Sequence, residues 1–192
     1  MMKSFNKKNI ITAVILIVFA VISRMVMHGQ NYETLTATTV LAGALLGPYL
    51  GLLVGLGSVI GTDMFIGNSM IFAYTWSAWA VIGLSNALWS KKVVKTAIWK
   101  NSAILTGSGI ISVIFFYLWT NFGVWQMGWY SYTFSGLMQC YVAALPFLRN
   151  QLVGNLITLP VVVTVGIITY RYLPEVLKNI WQLRKKTLPK IH

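Results

Sequence analysis

Apolar stretches occupy about 9–27, 32–66, 70–89, 101–119, 134–148 and 151–170 of this chain, separated by short polar or basic breaks. Most approach the ~20 residues that a helix needs to cross a bilayer, so the pattern predicts an all-α integral membrane protein. The second stretch is too long for one span. As a single helix, 32–66 would measure about 52 Å against a hydrocarbon core of roughly 30 Å. Its middle reads GALLGPYLGLLVGLG, and the Gly47-Pro48 pair divides it. Proline cannot donate a backbone hydrogen bond but suits the first position of a helix, while glycine can close the preceding helix in a left-handed conformation. The pair is expected to be a turn between helices at 32–46 and 48–66. Glycines 43, 47, 51 and 55 fall four apart, a spacing that lets backbones approach closely.

Charge gives this division an independent footing. Lys and Arg number fifteen against three acids, for a net charge of +12. They cluster beside apolar runs, a pattern of membrane topology rather than of a nucleic-acid surface, so no nucleic-acid partner is expected. With 32–66 folded back on itself, Lys3, Lys7, Lys8, Lys91, Lys92, Lys95, Lys100 and the six basic residues from Arg171 to Lys190 share one side. Only Arg24 and Arg149 fall on the other. The positive-inside rule makes the crowded side cytoplasmic. The expected organisation is one membrane domain, 1–192, in the cell membrane, multi-pass, with spans at about 9–27, 32–46, 48–66, 70–89, 101–120 and 150–171. Both termini are cytoplasmic, and 172–192 forms a basic tail whose amphipathic part, LPEVLKNIWQLRKK, lies on the lipid surface or meets a partner. The first stretch follows three lysines like a signal peptide but has no small-residue cleavage site, and is read as a retained helix.

Segment 134–148 is left over. Its apolar part is short for a span and it carries Pro146 and Arg149 close by, so an extra re-entrant or interfacial helix before the last span is expected on the outer face. The residues before it are rich in Trp and Tyr, which either anchor the chain at the interface or cap a pocket from outside.

Groups for catalysis are scarce. The acids are Glu33, Asp63 and Glu175, the histidines are His28 and His192, and the single Cys140 excludes a disulfide or a cysteine zinc cluster within the chain. There is no paired carboxylate, HExxH or phosphate loop, so neither an enzyme nor a cofactor is expected. Glu33 and Asp63 fall at the outer ends of helices with Arg24, His28, Asn31, Asn121, Arg149 and Asn150. Ionisable groups near membrane depth serve a ligand or pair with each other, and both readings apply to Asp63.

The order of short second helix, Gly-Pro turn, glycine-rich third helix ending in an acid (GLLVGLGSVIGTDMFIG) and aromatic fourth helix resembles the membrane-embedded substrate-binding subunits, or S components, of energy-coupling factor (ECF) transporters. FFYLWTNFGVW at 115–125 and YTFSGLMQCYVAALPFLRNQLVGNL at 132–156 resemble a family of uncharacterised transport proteins grouped with them. This chain has Thr62-Asp63 where that family has a Ser-Asp pair and Gly154-Asn155 where it has Gly-Asp. The resemblance implies six transmembrane helices in an S-component-like fold that captures a small vitamin- or nucleobase-like molecule from outside. A transmembrane coupling subunit and ATPases would be its partners, with membrane lipid around it. The expected substrate contacts are Asn31 and Asp63 as hydrogen-bonding groups, Tyr74, Trp125 and Tyr130 as stacking surfaces, and Asn121, Arg149 and Asn150 as polar contacts. Two other classes stay open. A membrane enzyme would bring Asp63, Glu33 and His28 together, and a membrane scaffold without transport would have no pocket.

Overall fold

The computed structural model describes residues 6–26, 34–93 and 96–187. Among these every regular element is helical. The long helices are α1 (Lys7–Val26), α2 (Leu35–Leu46), α3 (Pro48–Ile66) and α4 (Phe72–Ser85). A 3-10 turn (Asn86–Trp89) and the short α5 (Ser90–Val93) lead to α6 (Ile98–Gln126) and α7 (Phe134–Thr187). Four are long and apolar enough to cross a membrane: α1, α3, α6 and the Phe134–Val176 part of α7. The 12-residue α2 and 14-residue α4 are shorter. The chain is thus compatible with a multi-pass membrane protein.

At the centre stands α2, of which every residue from Leu35 to Leu46 is buried. It packs against α1, α3, α4, α6 and α7. Its small residues Ala37, Ala42, Gly43 and Ala44 let neighbouring helices close in around it. Its end is set by the expected turn: Gly47 has φ +96°, its N–H donates to the Gly43 carbonyl at 3.2 Å, and Pro48 opens α3. The glycine spacing works as small-residue packing among three helices. A Cβ on Gly51 would collide with the Gly83 carbonyl of α4 and with Gly43 of α2, so these backbones touch only because all three residues are glycine. At the other end of α2, Thr34 and Ser23 share a buried hydroxyl-hydroxyl hydrogen bond that ties its start to the end of α1.

Segment 134–148 differs from expectation. It is no separate re-entrant or interfacial helix but the first part of α7, which continues through Pro146, Pro160 and Pro174. It pairs antiparallel with α6: Tyr117 Oη donates to the Tyr141 carbonyl at 2.6 Å, and Ser102 and Thr164 hydroxyls meet at 2.7 Å. Between these ties α7 runs through more residues than the α6 stretch it faces. Further along, Arg171 donates to the carbonyls of Val93 and Thr96, closing the chain before α6 onto α7.

Candidate functional site

Being only 12 residues long, α2 extends about 18 Å, well short of a roughly 30 Å core. Beside its first turn lies a cavity of about 390 Å³. Leu35 lies at the start of α2, Arg24 and Asp63 come from the last turns of α1 and α3, and Gly67, Asn68 and Ser69 supply the rim. Thr75 and Trp79 of α4 and Phe116 of α6 form a second side, and Phe147 and Gln151 of α7 complete it. The volume falls in the ordinary range for small-molecule sites.

Asp63 organises the polar side. It occupies the last turn of α3, where the partial negative charge of the helix end disfavours a carboxylate. Donors compensate. Trp76 Nε1 donates to Asp63 Oδ2 at 2.7 Å, and Asn68 Nδ2 donates to the same oxygen. The rim is held by the Gly67 amide, which donates to the Asp63 carbonyl at 2.9 Å with Gly67 at φ +83°. Asn68 Oδ1 in turn accepts from the Ser69 amide at 2.7 Å. Among the described residues both hydrogen bonds to the carboxylate therefore end on Oδ2, leaving Oδ1 with acceptor capacity. The opposite surface is apolar: Trp79 is buried with its ring 5.1 Å from Phe116, beside Leu35 and Val59. One side can accept from an N–H or O–H donor while the other covers a ring.

Polar atoms continue inward. Thr36 and Thr39 of α2, Ser58 of α3 and Asn155 of α7 each bury a side-chain oxygen with no hydrogen-bond partner among the described residues. Such atoms cost about 1–3 kcal/mol each in a dry interior, which favours bound water beside them.

Among the described residues, Asp63 is the one expected contact that lines this cavity. Tyr74 is a strut between α4 and α6: its ring covers Gly123, lies 5.5 Å from Trp119, and its hydroxyl donates to the Gln126 side chain. Asn121 donates to the Tyr117 carbonyl one turn back, and its own carbonyl accepts from Cys140 Sγ at 3.3 Å. Trp125 Nε1 donates to the Ser131 carbonyl at 3.0 Å, closing the turn that carries the half-buried Tyr130. Arg149 and Asn150 are exposed on α7, Arg149 in a shallow groove with Pro146 and Leu152. Asn31, Glu33 and His28 lie outside the described residues. The sequence reading missed Trp76, Asn68, Trp79, Phe116 and Gln151. The Trp76–Trp79 spacing, one helical turn, was the available signal that two indoles of α4 share a face.

Residues 3–176 match a family of unknown function, DUF6580. The chain belongs to that family. No curated protein and no solved structure matches it. In this DUF6580 chain the Asp63 cavity is the feature that bears most directly on function.

Proposed function

We propose that this protein captures a small, ring-bearing molecule of the vitamin or nucleobase class in the Asp63 cavity and passes it across the cell membrane, as an ECF-type S component. Energy comes from a transmembrane coupling subunit and ATPases. The observation that carries the reading is the half-buried Asp63 carboxylate, held by Trp76 and Asn68 opposite the apolar Trp79–Phe116 surface. Such a pairing suits a ligand with both a polar edge and a flat face.

Topology supports it. α1, α2, α3, α4, α6 and α7 make six passes, with α2 and α4 as short ones. Lys7, Lys8, Lys100 and Arg171 gather at the end away from the cavity, and the positive-inside rule supports reading that end as cytoplasmic and the cavity mouth as outer. Thr39 and Ser58, one or more helical turns further along α2 and α3 from Leu35 and Asp63, bury unpartnered oxygens that a solute moving inward would meet.

Native mass spectrometry of the gently solubilised protein, followed by thermal-shift screening of the ligand found, tests the proposal. The expected result is one bound small molecule whose stabilisation drops at least several-fold in Asp63→Asn, with the unliganded variant still folded. Unchanged affinity in a folded Asp63→Asn variant would remove the cavity as the site. Failure to find any ligand, with Trp79→Ala no different from wild type in the screen, would overturn substrate capture itself.

A further inference from the structure

A second concavity, about 800 Å³ and almost wholly apolar, runs along the seam of α1 and α7. Ile11, Ile15 and Phe19 repeat every fourth residue along α1 and form one wall, facing Val161 and Val165 of α7. All five are exposed, between 44% and 60%. Leu41 and Leu45 of α2 make the floor, which α7 reaches because Gly166 has no side chain: a Cβ there would collide with Leu41.

The groove is charged at one end only. Lys7 and Lys8 lie there, beside Tyr170 and Pro174. Pro174 has no N–H to give the Tyr170 carbonyl one turn back, and Lys8 takes the place of the missing donor: its Nζ donates to that carbonyl at 3.0 Å and sits 4.0 Å over the Tyr170 ring. One ammonium proton is thus used to fix Lys8, and the others remain available to a ligand. Lys7 is exposed beside it, and both stand in the first turn of α1, where the helix dipole is positive. The nearest acid in sequence, Glu175, is not part of the lining.

From Lys7 to Phe19 the groove wall is about 18 Å long, close to the depth of one leaflet of a roughly 30 Å core. A slot one leaflet deep, apolar along its length and doubly cationic at its interfacial end, has the shape and charge of a phospholipid with an anionic headgroup. We propose that this groove is a binding site for an anionic diacyl phospholipid, its phosphate on Lys7 and Lys8 and an acyl chain between α1 and α7. The lipid would fill the seam and hold α1 against the bundle. The site is separate from the Asp63 cavity and stands without the transport reading.

The test uses the whole chain in detergent, delipidated and titrated with dioleoyl phosphatidylglycerol, with dioleoyl phosphatidylcholine, or with glycerol 1-phosphate, read by native mass spectrometry and thermal shift. Wild type should retain phosphatidylglycerol at least ten-fold more tightly than phosphatidylcholine. Lys7→Gln, which leaves the Lys8–Tyr170 contact in place, should lose most of that preference, and Val165→Trp, which fills the groove, should lose retention of both lipids. Equal binding of the two lipids by wild type overturns the proposal. A preference that survives Val165→Trp would come from the basic tail and overturns it too, as would glycerol 1-phosphate matching the lipid, which marks a free-phosphate site. A photo-crosslinker at position 165 should yield a lipid adduct in membranes; a protein adduct there would make the groove a subunit interface instead.

Discussion

At the residue scale, Asp63 was legible because a lone acid at the end of an apolar helix is costly wherever it is not used. Its surroundings were not. Trp76 reaches it across a turn and from another helix, and no local periodicity couples positions that far apart; only the fold brings indole N–H and carboxylate to 2.7 Å. Tyr74, Trp125 and Arg149 have residue types that suit ligand contacts, yet type does not tell a strut from a ligand contact, and Tyr74 is spent covering Gly123. Trp76→Phe separates these roles. It keeps an aromatic ring next to Phe72, whose ring lies 5.3 Å away, and removes only the donor. A hydrogen bond to a charged group contributes about 1.5–3 kcal/mol, and this one is half-exposed, so a loss near the low end is expected. Chemical or thermal denaturation in detergent should read that loss in the unliganded protein. An unchanged midpoint would mean the indole does not hold the carboxylate.

At the scale of elements, the turn at Gly47-Pro48 followed from two residues whose backbone chemistry is decisive by itself, and the structure keeps it at the expected position. The continuity of α7 could not be read the same way. A proline discourages helix in an average setting, but here three of them are carried inside one helix, and neighbouring groups such as Lys8 satisfy a carbonyl that proline leaves behind. The glycines give a paired prediction. Gly83→Ala places a Cβ into the Gly51 carbonyl, backbone against backbone, with no side chain able to yield, so the variant should lose several kcal/mol or fail to accumulate. Gly107 has nothing within 4 Å of the same position, and Gly107→Ala should be neutral or gain up to about 1 kcal/mol from helix propensity. Equal melting points for the two alanine variants would show that the α3–α4 contact is looser than it stands here. Replacing Gly47-Pro48 with Ala-Leu should be worse than either, because alanine is strained at φ +96° and the pair no longer divides an over-long apolar run. Folded yield on size-exclusion chromatography reads this, and a wild-type yield would mean the turn is set by other residues.

For the whole molecule, α6 supplies the ruler. Trp99 lies near its start with Lys100 over the ring at 5.3 Å, and Trp119, Phe122, Trp125 and Tyr132 form a chain of ring contacts at its far end. From Trp99 to Trp125 the helix rises about 39 Å, close to the 40–45 Å between the two interfaces of a bilayer. Aromatic belts favour those interfaces, so α6 has the length and the ring placement for a crossing, with its lysine end on the side where basic residues collect. Arg171, tied to Thr96, belongs to the same end, and so do Lys7 and Lys8 through Tyr170. These two ties between distant parts of the chain agree on one charged face. If that face is cytoplasmic, a cysteine at Lys100 should stay unlabelled by a membrane-impermeant maleimide in intact cells and react only after permeabilisation. A cysteine at Met127, in the exposed turn after α6, should react from outside in both conditions. Cys140 is buried and should contribute no background, which unsubstituted protein checks directly. Labelling at position 100 and protection at 127 would invert the molecule and place the Asp63 cavity toward the cytoplasm, turning uptake into export. Labelling at both positions from outside would show that α6 does not cross the membrane.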